Sequence, residues 1–504
     1  LHLDYLMNSM MSVLMKGFQE ALPRCRISGS TRSRIVMGCV VFSAISLSGC
    51  AMIPDLGTPP PMKTVTQLKS DQSFPHQNGQ WPKDDWWKKY GDEQLNGLID
   101  DALKNSPTLN IADARVKQAQ AMTQSASGSL FPEVTANASF MRDKMSYNYV
   151  TPESATPQNW NSYGRTTLDM SWEIDFWGKN RAALAAATSG EMAAVAEKAQ
   201  TRLVLSSSVV TVYAELAHLY TVRETLNDTL TIRTSTLALF QQRHDAGLED
   251  LSSLQQVETR QLNAKANLVA IDEAIAIKKH ALAALIGDGP DRALAITAPK
   301  ATLLAHEDLP PNIALDLIGR RPDIVAARLR AEAAAEKIKQ KKAGFYPSVN
   351  LVAFAGFQSL GINNLTRSGS AIGSFGPAIS LPIFNTQQLQ GDLKYASGEY
   401  DIAVNVYNDT LTNALREVSD ALTSRASLKD EMLYSQAAVA SAEKAYSLTR
   451  QRYEGKVADY LDVLSSEDEL VTARRKLADV NSRAFTIDVA LARALGGGYT
   501  SSKQ

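Results

Sequence analysis

The stretch Arg243-His244-Asp245-Ala246-Gly247-Leu248-Glu249-Asp250 decides the fold, because it is a turn with a long helical pattern on either side. After it, Leu254, Val257, Gln261, Ala264, Leu268, Ile271, Ile275, Lys278, Leu282 and Leu285 advance by alternating threes and fours. This is a heptad seam interrupted only at Gln261 and Lys278. Before the turn, a continuous helix from Gly178 to Gly247, rising about 1.5 Å per residue, would extend roughly 100 Å. The expectation is a hairpin of two long coiled-coil helices.

The hairpin occurs twice. The seam returns 209 residues later as Val463, Ser466, Leu470, Ala473, Leu477, Val480, Ala484, Ile487, Leu491 and Ala494, with Arg452 where Arg243 stands in the first copy. Upstream of each hairpin, Pro107 and Pro132 recur as Pro322 and Pro347, both 215 residues on. A duplicated unit needs no separate cores, so 504 residues are read as one architecture.

Each copy opens with helical spacing: Leu95, Leu98, Ile99, Ala102 and Leu103, then Leu109, Ala112, Val116 and Ala119, with a break at Pro107. Its counterpart, 313–343, breaks at Pro322. Where Phe131-Pro132 and Tyr346-Pro347 follow, the period changes to two. Val134, Ala136, Ala138 and Phe140 alternate with polar residues. Leu168, Met170, Trp172, Ile174 and Phe176 alternate with Thr167, Asp169, Ser171, Glu173 and Asp175. In the second copy Val349, Leu351, Ala353 and Ala355, then Pro377, Ile379, Leu381 and Ile383, form the matching outward sets, with outer loops at 141–163 and 358–373.

Strands with one apolar face joined to helices far too long for a compact domain fit a lipid-facing barrel with a wet interior. Four strands cannot close such a barrel, and lipid tolerates no open edge, so several copies must share it. No apolar run after Cys50 reads as a spanning helix, which leaves the barrel as the membrane crossing. The fold class is therefore an α+β membrane protein, a duplicated unit of long helical hairpins plus four strands per chain.

The N-terminus reads as targeting sequence. Arg24, Arg26, Arg32 and Arg34 precede the apolar run 35–46, which ends in Leu47-Ser48-Gly49-Cys50. That ending resembles a bacterial lipobox, which makes Cys50 the acylated first residue of the mature chain. Ala51 in place of Asp favours the outer membrane. Residues before Arg24 read as an over-extended start, with Met10, Met11 or Met15 as alternatives. Cys25 and Cys39 precede the cleavage point, so no disulfide is expected. The organisation is then 1–49 signal peptide, 50–91 anchor and proline-rich tether, 92–290 first repeat, 291–311 linker, 312–497 second repeat and 498–504 tail. Trp81, Trp86, Trp87 and Tyr90, after the tether, are expected to be packing anchors.

The 52 basic and 53 acidic residues nearly balance and form no basic block, so no nucleic-acid partner is expected. His2, His76, His218, His244, His280 and His306 share no ligand spacing, and Gly287-Asp288-Gly289-Pro290 lacks the phosphate-loop signature. His218 and His280 read as structural, and Gly496 to Gly498 as the end of a helix. No catalytic residue, metal site or cofactor is expected.

Six motifs in order resemble the TolC-like outer-membrane efflux proteins, specifically the NodT-type lipoproteins. They are Trp86-Trp87 through Leu95, Ala102-Leu103-Lys104-Asn105, Asp175-Phe176-Trp177-Gly178, Arg320-Arg321-Pro322-Asp323-Ile324, Phe345-Tyr346-Pro347-Ser348 and Leu381-Pro382-Ile383-Phe384. The resemblance covers nearly all of the chain after Cys50. It implies a homotrimer with a twelve-stranded barrel on a helical periplasmic tunnel, held in outer-membrane lipid, docking to a periplasmic adaptor and an inner-membrane pump. The duct would be passive and gated, exporting small toxic compounds. Protein secretion by a type I system is the alternative, and a lipid-anchored structural coiled coil a further one that leaves the strands unexplained. The resemblance also implies adaptor-docking tips at Arg243, Gly247, Leu248, Arg452, Lys456 and Val457. In the second turn Gly455 comes one place early, with Lys456 where the family has Gly. The gate is expected at Asp462 within Asp462-Val463-Leu464-Ser465, where the family's second acid is replaced by Ser465. Asp250 and Asp459 read instead as helix caps.

Overall fold

The computed structural model describes residues 53–68, 74, 79–301, 310 and 313–501; Cys50 and the expected signal peptide lie outside the described residues. Its elements follow the duplication. The first copy runs α1 (Glu93–Asn105), α2 (Pro107–Gly128), β1 (Glu133–Asp143), β2 (Asn161–Ile174), α3 (Lys179–Asp245) and α4 (Leu251–Leu285). The second runs α5 (Ile313–Arg320), α6 (Pro322–Ala343), β3 (Ser348–Leu360), β4 (Ala371–Ser380), α7 (Thr386–Glu454) and α8 (Tyr460–Ala494). Both prolines that interrupt the helical pattern stand at the first position of a new helix, where a missing N–H costs nothing.

α3 and α7, of 67 and 69 residues, are each about 100 Å of continuous helix. Every predicted seam position on α4 and α8 is buried or half-buried. The two breaks in the first seam are polar links to α3. Gln261 Nε2 donates to Thr234 Oγ1 at 3.3 Å, and Lys278 Nζ to Glu215 Oε2 at 2.6 Å.

As the extent of each seam implies, α4 and α8 have 35 residues and cover only the distal half of their partners. α2 and α6 cover the other half. The lateral order is therefore α2-α3-α6-α7 near the strands and α4-α3-α8-α7 toward the turns. The 209-residue spacing holds at the turns, but the N-caps Gly178 and Asn385 are 207 apart, because α7 is two residues longer than α3.

The strands form one antiparallel sheet in the order β1-β2-β3-β4, with β1 and β4 as its edges. Its register gathers the predicted apolar sets on one face. Val134 pairs with Met170, Met170 with Ala353 and Ala353 with Phe375; Trp172 pairs with Leu351 and Leu351 with Pro377. Glu133, Ser171 and Val352 share the opposite face. Three outward assignments are corrected. Phe176 lies past the end of β2, and Leu381 and Ile383 lie past β4, which stops at Ser380 because Pro382 offers no N–H to the ladder. At their outer ends the strands run further than expected, leaving loops of 144–160 and 361–370.

About halfway along α3 a belt thickens the molecule. Trp86, Trp87 and Tyr90 pack with Leu98 of α1, Tyr213 of α3, Leu282 of α4 and Phe485 of α8. Tyr90 meets Phe485 edge-on at 4.5 Å and donates to Asp488 at 2.6 Å. The tether lies along α7, where Lys63 N–H donates to Asn408 Oδ1 at 2.8 Å and the Asn408 amide returns to Pro61 O. It carries two 3-10 helices, Val65–Leu68 and Trp86–Tyr90, and otherwise runs without regular structure in its described residues, as its prolines dictate. One expectation fails within α3, which holds an 18-residue stretch with a mean hydropathy of 1.3, as apolar as a membrane span. Half of that stretch is buried inside the chain itself.

Candidate functional site

Both turns solve the same backbone problem with different residues. At the end of α3, Gly247 takes a left-handed φ of 71°, the Leu248 N–H donates to Arg243 O at 2.8 Å, and the Gly247 N–H to His244 O at 2.9 Å. At the end of α7, Lys456 takes that conformation with φ 60°, the Val457 N–H donates to Arg452 O at 2.8 Å, and the Lys456 N–H to Tyr453 O at 3.0 Å. The sequence departure at Gly455 therefore leaves the second turn's backbone unchanged. Leu248 and Val457 project into solvent at both tips. Asp250 and Asp459 cap the helices that follow, as expected. The Ser253 N–H on Asp250, at 2.7 Å, holds that carboxyl below its usual range.

Arg243 is not a free tip side chain. Its Nε donates to Glu249 Oε1 at 3.1 Å and its guanidinium lies over the Tyr453 ring at 4.7 Å, while the Tyr453 hydroxyl donates to the same Glu249 oxygen at 2.7 Å. Arg452, by contrast, is exposed. The two tips are joined by an apolar cluster of Phe240, Leu254, Val257, Tyr453, Val463 and Leu464, in which Phe240 stacks on Tyr453 at 5.9 Å.

Asp462 has a local role. Its carboxylate accepts the Asp459 N–H at 3.3 Å, completing a capping box at the start of α8. It is nonetheless exposed, lining a groove of about 420 Å³ together with Arg452, Ser465 and Glu469.

Above the tips lies a charged cluster that the sequence did not disclose. Arg233 of α3 donates to Glu467 at 3.1 Å and Asp468 at 3.2 Å of α8, and Arg260 of α4 reaches Asp468 at 2.7 Å. Glu467 is fully buried, which pushes its carboxyl up. Three further nodes were also missed. The Arg321 guanidinium, 6% exposed, is held by Asp323, Glu417 at 2.7 Å and the Ala494 carbonyl, which binds α6, α7 and α8 together. Asp92 caps α1 and accepts the Tyr213 hydroxyl at 2.6 Å and the Lys300 N–H at 2.7 Å; burial opposes its charge, but these donors outweigh it and keep the carboxyl below its usual range. Gly496, Gly497 and Gly498 do more than end a helix. All have positive φ, and an added Cβ would fall 2.0 Å from Arg320 O, 2.2 Å from Leu203 Cδ1 and 2.2 Å from Lys83 C, respectively. His218 pairs with Asp479 of α8 at 3.3 Å, a packing role, whereas His280 is exposed.

At the other end of the molecule, the motif residues fasten strands to helices. Asp175 accepts the Arg181 N–H at 2.9 Å, and Trp177 stacks on Tyr346 at 4.6 Å while its Nε1 donates to Pro347 O at 2.7 Å. The result is a sheet apolar on one face, with two unpaired edges, mounted on a curtain of helices whose far end carries two exposed turns.

The model of the outer membrane efflux protein family matches residues 98–288 and 315–497. The solvent efflux pump outer membrane protein SrpC of Pseudomonas putida is 30% identical over 92% of this chain and 98% of its own length. The fusaric acid resistance protein FusA of Burkholderia cepacia is 31% identical over 73% of this chain and 70% of its own. Among solved structures, the outer membrane protein VceC of Vibrio cholerae is 43% identical with a TM-score of 0.80, covering 83% of this chain and all of that one. The CmeC outer membrane channel of Campylobacter jejuni, 23% identical, has the same fold, with a TM-score of 0.80 over 90% of this chain and 96% of that one.

Proposed function

The chain belongs to the outer membrane efflux protein family, and from that premise we propose that three copies form a passive, gated duct through the outer membrane, fed by a periplasmic adaptor and an inner-membrane pump. The observation that carries this reading is the four-stranded sheet with a continuous apolar face and two free edges. Lipid requires those edges to be paired, and three copies supply twelve strands. The curtain of 100 Å helices then encloses the periplasmic tunnel. Small toxic compounds are the cargo, by analogy with relatives named for solvent efflux and fusaric acid resistance. The same names favour efflux over protein secretion.

Roles at the two ends follow. Cys50 is the acylated anchor. Gly247 and Leu248, with Lys456 and Val457, form the adaptor-docking tips. Arg452 contributes from its exposed position, while Arg243 acts by holding the turn. Asp462 contributes a ring of carboxylates to the gate. The duct is tested by reconstituting the purified trimer in planar bilayers and by restoring solvent or drug tolerance to a strain lacking its outer-membrane channel. Discrete conductance steps and restored tolerance, the latter dependent on the adaptor and pump, are expected. A silent bilayer would refute the proposal.

A further inference from the structure

Two junctions between strand and helix are related by the duplication, and only one is closed within a chain. Trp177 stands one residue before Gly178, the N-cap of α3, and Tyr346 two residues before β3. Because β2 and β3 are neighbours, these rings meet, with centroids 4.6 Å apart and planes 19° apart. Their repeat counterparts are Phe384, one residue before Asn385 at the start of α7, and Phe131, two residues before β1. β4 and β1 are the edges of the sheet, so nothing among the described residues brings these rings together. Phe384 is 100% exposed and Phe131 69%.

We propose that Phe384 of one copy stacks on Phe131 of the next, an aromatic clasp at the foot of the barrel that reproduces between chains the Trp177–Tyr346 stack made within each. The inference rests on the shared-barrel reading. Two exposed phenyl rings at the edges of a sheet, one of them fully solvated, are what a missing neighbour leaves behind, and face-to-edge or offset ring pairs are favoured beyond the area they bury. The edge helices carry the same message further down. On α2, Met122 and Ile111 are exposed about 9 and 26 Å from the helix's strand-side end. On α7, Tyr395 and Ile402 are exposed about 14 and 24 Å from that helix's strand-side end. An apolar residue on one edge thus faces another at nearly the same depth when copies stand side by side. Phe384 has no counterpart to the Trp177 Nε1 bond, so the clasp between chains relies on ring contact alone.

The test is a Phe131→Cys/Phe384→Cys double variant, with each single variant as control, treated as purified trimers with a short bismaleimide. Covalent dimers and trimers from the double variant only are expected. Intact trimers on a native gel that do not cross-link, with both thiols open to a maleimide dye, would overturn the clasp while leaving the shared barrel standing. Absence of trimers in the unaltered protein would instead overturn the barrel. Independently, Phe384→Ala should lower the temperature at which trimers dissociate in dodecyl sulfate, and Phe384→Tyr should restore it. An unchanged temperature in Phe384→Ala counts against the clasp.

Discussion

Lys456 holds a left-handed φ of 60° at a position where its repeat partner is Gly247, and no Cβ is welcome in that conformation. Lys456→Gly should therefore stabilise the α7 turn by about 0.5–1 kcal/mol, seen as a higher melting temperature. If the lysine side chain also meets the adaptor, binding should weaken in the same variant; a protein no more stable than the parent would show that the strain is absorbed elsewhere. Asp462 needs a subtler substitution, because its carboxylate both caps α8 and faces the groove beside Arg452. Asp462→Asn keeps an acceptor for the Asp459 N–H and removes only the charge. Cation selectivity and block by multivalent cations should fall in bilayers, with melting unchanged. Unaltered selectivity would leave Asp462 as a cap and place the gate elsewhere.

At the scale of the strand, the register supports a sharper contrast than alternation alone. Met170 shares its face with Val134, Ala353 and Phe375, whereas its neighbour Ser171 shares the other with Glu133 and Val352. Arg at position 170 should cost roughly 2–4 kcal/mol if it sits near the midplane of the bilayer, while Arg at 171 should change conductance and leave folding intact. Heat-modifiability on gels and single-channel recording separate the two. Equal damage from both would mean that the sheet does not have one face in lipid. The helices present a similar division, since α3 and α7 have different partners along their two halves. The belt, where partners change, collects the buried Arg321, Asp92 and aromatic residues that fix the exchange.

For the whole assembly, the proposed anchor and the shared barrel make separable predictions: acylation at Cys50 would add membrane affinity, whereas closure of the strand edges would hold the copies together. Cys50→Ser should leave an unprocessed, unlipidated N-terminus by mass spectrometry while trimers persist on native gels. Loss of trimers would assign the anchor a structural role that the barrel does not require.

The heptad steps around the turn at Arg243, the period-two strands and the two proline-started helices were legible because each depends on neighbours within a few residues. The repeat doubled every such signal. The cap roles of Asp250 and Asp459 were legible for the same reason. Local pattern did not reveal that α2 and α6 cover the strand-side halves of the long helices, that Gly496 to Gly498 thread between Arg320, Leu203 and Lys83, or that Arg233 finds Glu467 across 234 positions. Nor did it show Arg243 turned back onto Glu249 and Tyr453. The sequence by itself determined which faces are apolar and where helices start and stop, since those follow from backbone periodicity. Only the tertiary structure decided which faces meet, because that choice depends on contacts between residues hundreds of positions apart, whose side chains carry no local mark of their partners.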